Sequence, residues 1–256
     1  MKKIISVLIL ACVSAPPACA EPGTPSGTGE SGMTACVYEY KGEVGVFEPG
    51  GRDWDTLKSA VQLKEGTRLR TGNGAWCRIL AGDGTFINLY ENSETVVETL
   101  KLSKDSRDYG FNFVKGRILW MAAKLKNVRS RFSIRTPSAV CAVRGTDFFI
   151  GVSSAATEIG LFEGQLDVQN GEKNAQLSAG NEAVAAPGSD VTVNAYFSRT
   201  MKAEQRRYLR LKKYTEDLRQ KLAARDGFID EFVKGQQEKL QEFENRRRDK
   251  LNRRKE

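Results

Sequence analysis

The chain has 256 residues, a formal net charge of +8 and no histidine, with 40 Lys and Arg against 32 Asp and Glu. Without histidine, Ser-His-Asp and Cys-His catalysis, His-ligated metals and a histidine pH switch are excluded, which leaves an enzyme only carboxylate or lysine chemistry. The charge is uneven: 197–256 holds nineteen cations and eleven acids, whereas 21–196 holds nineteen cations and twenty-one acids.

Lys2 and Lys3 precede an apolar run from Ile4 to Val13, which is followed by Ala18-Cys19-Ala20. That order is a secretory signal peptide over 1–20, too short to span a bilayer, and it predicts an exported protein of the periplasm or cell envelope. A second reading takes Ile9-Leu10-Ala11-Cys12 as a lipobox-like stretch with Cys12 lipidated. Cleavage after Ala20 leaves Cys36, Cys77 and Cys141 in an oxidising compartment, so at most one internal disulfide can form. A basic tail ordinarily suggests nucleic acid. Export makes anionic lipid, cell-wall polymer or an acidic protein face the expected partner instead, with no nucleic acid.

Segment 21–34 is rich in Gly, Ser, Thr and Pro and is expected to be a flexible leader. From 35 to 196 the pattern becomes short Val-, Ile-, Phe- and Tyr-rich runs broken by Gly, Asn, Asp or Ser, an all-β signature. Expected strands are 36–40, 43–47, 75–80, 85–89, 95–102, 110–114, 117–121, 131–134, 139–143, 147–152, 158–162, 165–168 and 181–185.

Two repeats run through this region. Lys41-Gly42-Glu43-Val44, Lys115-Gly116-Arg117-Ile118 and Glu163-Gly164-Gln165-Leu166 share the form charged-Gly-x-aliphatic, each expected to open a strand. Leu69-Arg70-Thr71 with Ala75 to Ile79 matches Ile134-Arg135-Thr136 with Ala139 to Val143. Recurrence of this kind predicts a wrapped or stacked β roll, or a short solenoid-like domain. It also puts Cys77 and Cys141 at equivalent positions, where they are either a disulfide across adjacent strands or two small core residues.

Thr136-Pro137, Ala139 to Val143 and Arg144-Gly145-Thr146-Asp147-Phe148 stand before a 157–164 strand and Leu177-Ser178-Ala179-Gly180. This order resembles the FecR-type domain family, whose pattern reads T-P-x-A-x-x-x-V-R-G-T-x-F followed by a strand and a later L-x-x-G. The resemblance covers about Val37 to Ala195 and implies an extracytoplasmic β-rich domain. The family is named for a regulator that reports outer-membrane iron-siderophore uptake to a sigma factor, through a cytoplasmic anti-sigma segment and one membrane span. Neither part is expected in this chain.

Two charges inside an apolar run, Arg144 and Asp147, read either as a polar binding spot on a β turn or as architecture. In the second reading the guanidinium satisfies carbonyls at a corner and Gly145 takes an unusual φ; this is the favoured one. Trp54, Trp76, Trp120 and Tyr90 are expected in the core before a sugar-binding face. The pairs Asp53 with Asp55 and Asp105 with Asp108 read as solvated turn residues.

From Met201 onward, prolines vanish and Glu, Lys, Arg and Gln dominate, which predicts helix. Leu211, Tyr214, Leu218, Leu222, Ile229, Phe232, Leu240, Phe243 and Leu251 form an apolar stripe on a basic helix over 197–256, either continuous or broken into two helices at Asp226-Gly227. Folding back on the β body, pairing with a second helix or copy, and lying on an anionic surface are the ways to cover it. The cluster Arg246-Arg247-Arg248, Lys250 and Arg253-Arg254-Lys255 favours peripheral membrane or cell-wall contact.

The expected function is a non-catalytic exported binding or scaffold protein, with no metal and no cofactor. An accessory component of transmembrane signalling linked to iron-siderophore uptake is the alternative, and a carboxylate-dependent carbohydrate-active enzyme the third reading.

Overall fold

The computed structural model describes residues 35–252 apart from 104, 126, 127 and 226, and not the Arg144 side chain. The signal-peptide, leader and Cys12 readings, and the basic residues at 253–255, lie outside the described residues. The strands are β1 (Ala35–Lys41), β2 (Val44–Phe47), β3 (Asp55–Thr56), β4 (Val61–Gln62), β5 (Arg68–Thr71), β6 (Trp76–Ala81), β7 (Phe86–Leu89) and β8 (Glu94–Leu102). They continue with β9 (Ser106–Met121), β10 (Arg129–Arg135), β11 (Val140–Val152), β12 (Thr157–Asn170), β13 (Lys173–Ser178), β14 (Glu182–Ala185) and β15 (Val191–Asn194), and two helices follow, α1 (Arg199–Ala224) and α2 (Phe228–Asn252).

Pairing sorts the strands into two rows that share three long members. One row runs β3, β2, β5, β8, the first half of β9, β10, the first half of β11, the second half of β12, and β13. The other runs β4, β1, β6, β7, the second halves of β9 and β11, the first half of β12, β14 and β15. Each long strand crosses from one row to the other, so the expected β roll followed by a helical segment is the architecture found.

Period-two alternation puts apolar side chains of the second row on both of its faces. Ile118, Trp120, Phe148 and Ile150 point into the core shared with Phe111, Phe113, Phe132 and Ile134 of the first row. Their neighbours Leu119, Met121 and Phe149 join Leu80, Phe86 and Phe162 on the opposite face, where Met201, Tyr208, Leu218, Ile229 and Val233 of the helices cover them. Burying each large side chain stabilises the fold by roughly 1.5–3 kcal/mol, so the helices close a second core. Of the three ways to cover the helical stripe, folding back on the β body is the one seen for α1 and the start of α2.

Glycines mark the crossings. The pairs 110–114 with 117–121, 139–143 with 147–152, and 158–162 with 165–168 are each one strand, β9, β11 and β12, bent at Gly116, Gly145 and Gly164. The charged-Gly-x-aliphatic repeat therefore bends β9 and β12 and does not open strands there. At Gly116, φ is +94° and an added Cβ would collide with Ser93 Oγ and lie 2.5 Å from Ser93 Cα. The strands β3, β4, β5, β13 and β15 have no counterpart among those expected.

Of the two readings of Cys77 and Cys141, the disulfide is not formed and both are core residues. All three described cysteines are free and buried. Cys77 on β6 faces Tyr40 and Leu89, and Cys141 in the first half of β11 faces Ile134 and Val168, so the two belong to different rows. Of the continuous and broken readings of the helical segment, the broken one is found, with α1 ending at Ala224 and Gly227 at φ +76°.

Candidate functional site at the β11 bulge

The segment Thr136 to Phe148 builds one turn and one corner. Thr136 closes the β10–β11 turn: its amide donates to Ala139 O at 2.8 Å, and its hydroxyl accepts from Ala139 N at 2.9 Å and lies 2.9 Å from Thr157 Oγ1. Pro137 sits exposed at the tip, where a missing N–H costs nothing. Farther along, the register against β12 shifts between Arg144 and Asp147, and Gly145 takes φ +60°. Before this bulge β11 pairs with β10; from Asp147 on it pairs with β9. Phe148 then stacks on Trp120 at 6.1 Å in the shared core.

The bulge drives a carboxyl inward, onto the face that α1 covers. Asp147 is 2% exposed and Thr146 is fully buried. The Tyr208 hydroxyl of α1 lies 2.9 Å from Asp147 Oδ2 and 2.8 Å from Glu163 Oε1. Asp147 Oδ1 and Thr146 Oγ1 have no partner among the described residues. Glu163 also accepts from Lys212 of α1 and from Lys124.

The two carboxyls titrate apart. Burial pushes Asp147 above the ordinary carboxylate range, against the pull of the Tyr208 hydrogen bond and the Lys124 charge. Burial also pushes Glu163 upward, but the hydrogen bonds from Lys124, Lys212 and Tyr208 outweigh it and hold it down to about 2. One hydroxyl proton cannot serve two ionised carboxylates. When Asp147 is protonated it donates to the Tyr208 oxygen, which donates onward to Glu163.

Around this seam the helix is held by further polar contacts. Arg219 donates to Gly84 O at 2.9 Å and Met121 O at 3.1 Å, and Arg117 meets Glu204 at 3.4 Å. Tyr214 donates to Glu39 at 3.0 Å, which also takes Arg78. Phe162 stacks on Tyr208 at 4.8 Å. Met201 occupies the space over Gly160, where an added Cβ would lie 2.7 Å from Met201 Cγ.

Other sequence candidates are dispersed. The corner role expected of the Arg144 guanidinium lies outside the described residues, and Arg219 satisfies the two carbonyls named above. Trp120 is fully buried, Trp54 lies under Arg70 at 4.3 Å, and Trp76 lies under Arg78 at 4.3 Å, so they share no open face. Asp53, Asp55 and Asp105 are exposed and Asp108 partly so. A shallow groove on β11 to β13, between Val140, Gln169 and Gln176, has Asp167 as its one titratable lining residue. Among the described residues no three His, Cys, Asp or Glu are grouped to hold a metal, and no helix is long and apolar enough to cross a membrane.

Tyr208 and Lys212 escaped the sequence reading, which began the apolar stripe at Leu211. The buried face runs Met201, Glu204, Tyr208, Thr215 and Leu218, and its polar members Glu204 and Thr215 hide the apolar period that would extend the stripe back to Tyr208.

Residues 67–167 match the model of the family described as FecR protein. No curated protein matches the chain. Two crystal structures of a candidate anti-sigma factor from Parabacteroides distasonis are similar to it, each at 15% identity and a TM-score of 0.45. The likeness covers 54% of this chain and 64% of one structure, and 53% and 62% for the other, less than two thirds of either.

Proposed function

We propose, from the match of residues 67–167 to the FecR protein family, that the protein is a non-catalytic binding and scaffold module of the cell envelope. Export rests on the signal-peptide pattern of 1–20. The β body holds α1 through the Tyr208 seam, and its strand β1 holds the start of α2, where Phe232 stacks on Tyr38 at 4.5 Å. Beyond Val233 the second helix turns outward: from Gln241 to Asn252 every residue is exposed, including Phe243 at 64% and Leu251 at 50%. That exposed helix on a rigid mount is the observation that carries the reading. It is the arm that pairs with another helix, on an envelope protein or a second copy.

The accessory-signalling reading is favoured by the FecR-type domain, with the arm as the element that reaches a membrane-spanning partner. Crosslinking in the envelope with the full chain and with a chain ending at Val233 tests both. Loss of the captured partner on truncation, with an unchanged melting temperature, is expected. Identical capture by the two chains would remove the arm from the function, and capture of an iron-siderophore receptor or its regulator would select signalling.

A further inference from the structure

The outward face of α1 is a second surface. Between Arg199 and Lys213 the sequence holds seven cations and one acid, Glu204. Glu204 is buried against the sheet, where it takes Arg117 and Arg207. Lys212 is committed to Glu163. The other five, Arg199, Lys202, Arg206, Arg210 and Lys213, are exposed. None has an acidic partner among the described residues.

At 3.6 residues per turn these five fall within roughly 80° of arc and run about 21 Å along the axis. They lie opposite the buried Met201, Glu204, Tyr208, Thr215 and Leu218. Because that buried face is pinned to the sheet, the cations form a fixed row. The α2 arm differs, since Arg246 pairs with Glu242 and acids are interleaved with its cations. Two apolar side chains accompany the row: Leu209, 58% exposed, at its edge, and Tyr196, 83% exposed, just before the helix.

We propose that this face of α1 docks the protein onto an anionic phospholipid surface, with the five cations on headgroup phosphates and Leu209 and Tyr196 in the interfacial layer. Lipid phosphate suits a straight row of fixed cations, and a bilayer interface also takes up a tyrosine and a leucine, which a purely polyanionic partner leaves in water. The assignment moves the membrane contact from the C-terminal tail to the folded body, and it does not depend on the pairing role of α2.

Co-sedimentation of the full chain with phosphatidylcholine vesicles, with and without phosphatidylglycerol, tests it. Binding is expected to the anionic vesicles only and to fade with salt. The variant R206Q/R210Q/K213Q should bind about 100-fold more weakly, from roughly a factor of five per cation, with an unchanged melting temperature. Leu209→Ser should weaken vesicle binding several-fold and leave binding to a single-stranded oligonucleotide unaltered. Full binding by the α1 variant, or loss in R246Q/R247Q/R248Q instead, would overturn the proposal. So would retention on the oligonucleotide without retention on vesicles.

Discussion

Asp147→Asn should stabilise the protein in mild alkali and do little in acid. The carboxyl is 2% exposed, with one oxygen bound by Tyr208 and the other without a partner among the described residues. Burial thus raises its pKa in the fold. A carboxyl raised above its unfolded value, ordinarily about 3.9, costs stability as pH climbs past that value, and the cost is complete above the folded one. Asparagine never ionises, keeps the shape, and can donate an amide N–H to the Tyr208 oxygen as the protonated carboxyl does, leaving the Tyr208 proton to Glu163. A buried charged acceptor one partner short costs about 1–3 kcal/mol. The stability difference between variant and parent should shift by that much toward the variant between about pH 3 and about pH 8. In melting temperature this is about 2–4 °C per kcal/mol for a fold of this size. Glu163, held down to about 2, contributes stability with the opposite sign, present above the ordinary carboxylate range and lost as pH falls toward 2. Both proteins contain it, so it drops out of the difference except for its coupling to Asp147 through the shared Tyr208 hydroxyl, which acts only as pH falls toward 2. Thermal melts of the pair across this range are the assay. A variant equal to or less stable than the parent throughout would mean that a cation matches ionised Asp147, and the reasoning from burial would fail.

Gly116→Ala should cost about 3 kcal/mol or more, since its Cβ meets Ser93 in addition to the strain of positive φ. Gly171→Ala, at φ +61° with open space, should cost only about 1–2 kcal/mol; equal denaturant midpoints for the two would refute the crossing-point role of Gly116. Burial pushes Cys36 and Cys141 up to about 12 and Cys77 higher still. In the chain from Glu21 onward no thiol should react with a disulfide reagent in the native state, and three should after denaturation without reductant. A count of one would restore the disulfide.

Much of the β body could be read from alternation, because apolar runs such as Ile118 to Met121 and Phe148 to Ile150 have few other uses. Their crossings were harder: a glycine at positive φ both ends strands and bends them, and Gly116, Gly145 and Gly164 look alike in sequence whichever they do. The two-residue strands β3 and β4 leave no periodic trace at all. At the site, Asp147 stood out as a charge in an apolar run, yet Tyr208 lies 61 residues away and Glu163 hides in a repeat. Equivalent positions in a sequence repeat leave it open whether Cys77 and Cys141 meet, and only the fold, which puts the two copies in different rows, decides for two separate core residues.

Tyr38 on the first described strand is capped by Phe228 and Phe232 of the last helix, and Glu39 binds Tyr214 across 175 residues. A chain that emerges from its N-terminal end, whether from a ribosome or a narrow channel, therefore keeps the outer face of β1 bare until α1 and the first turns of α2 have also emerged. Long-range pairing of this kind is slow. The timing of completion is set by the tail: the sheet can assemble early, but it becomes dry on both sides only once residues near Val233 arrive.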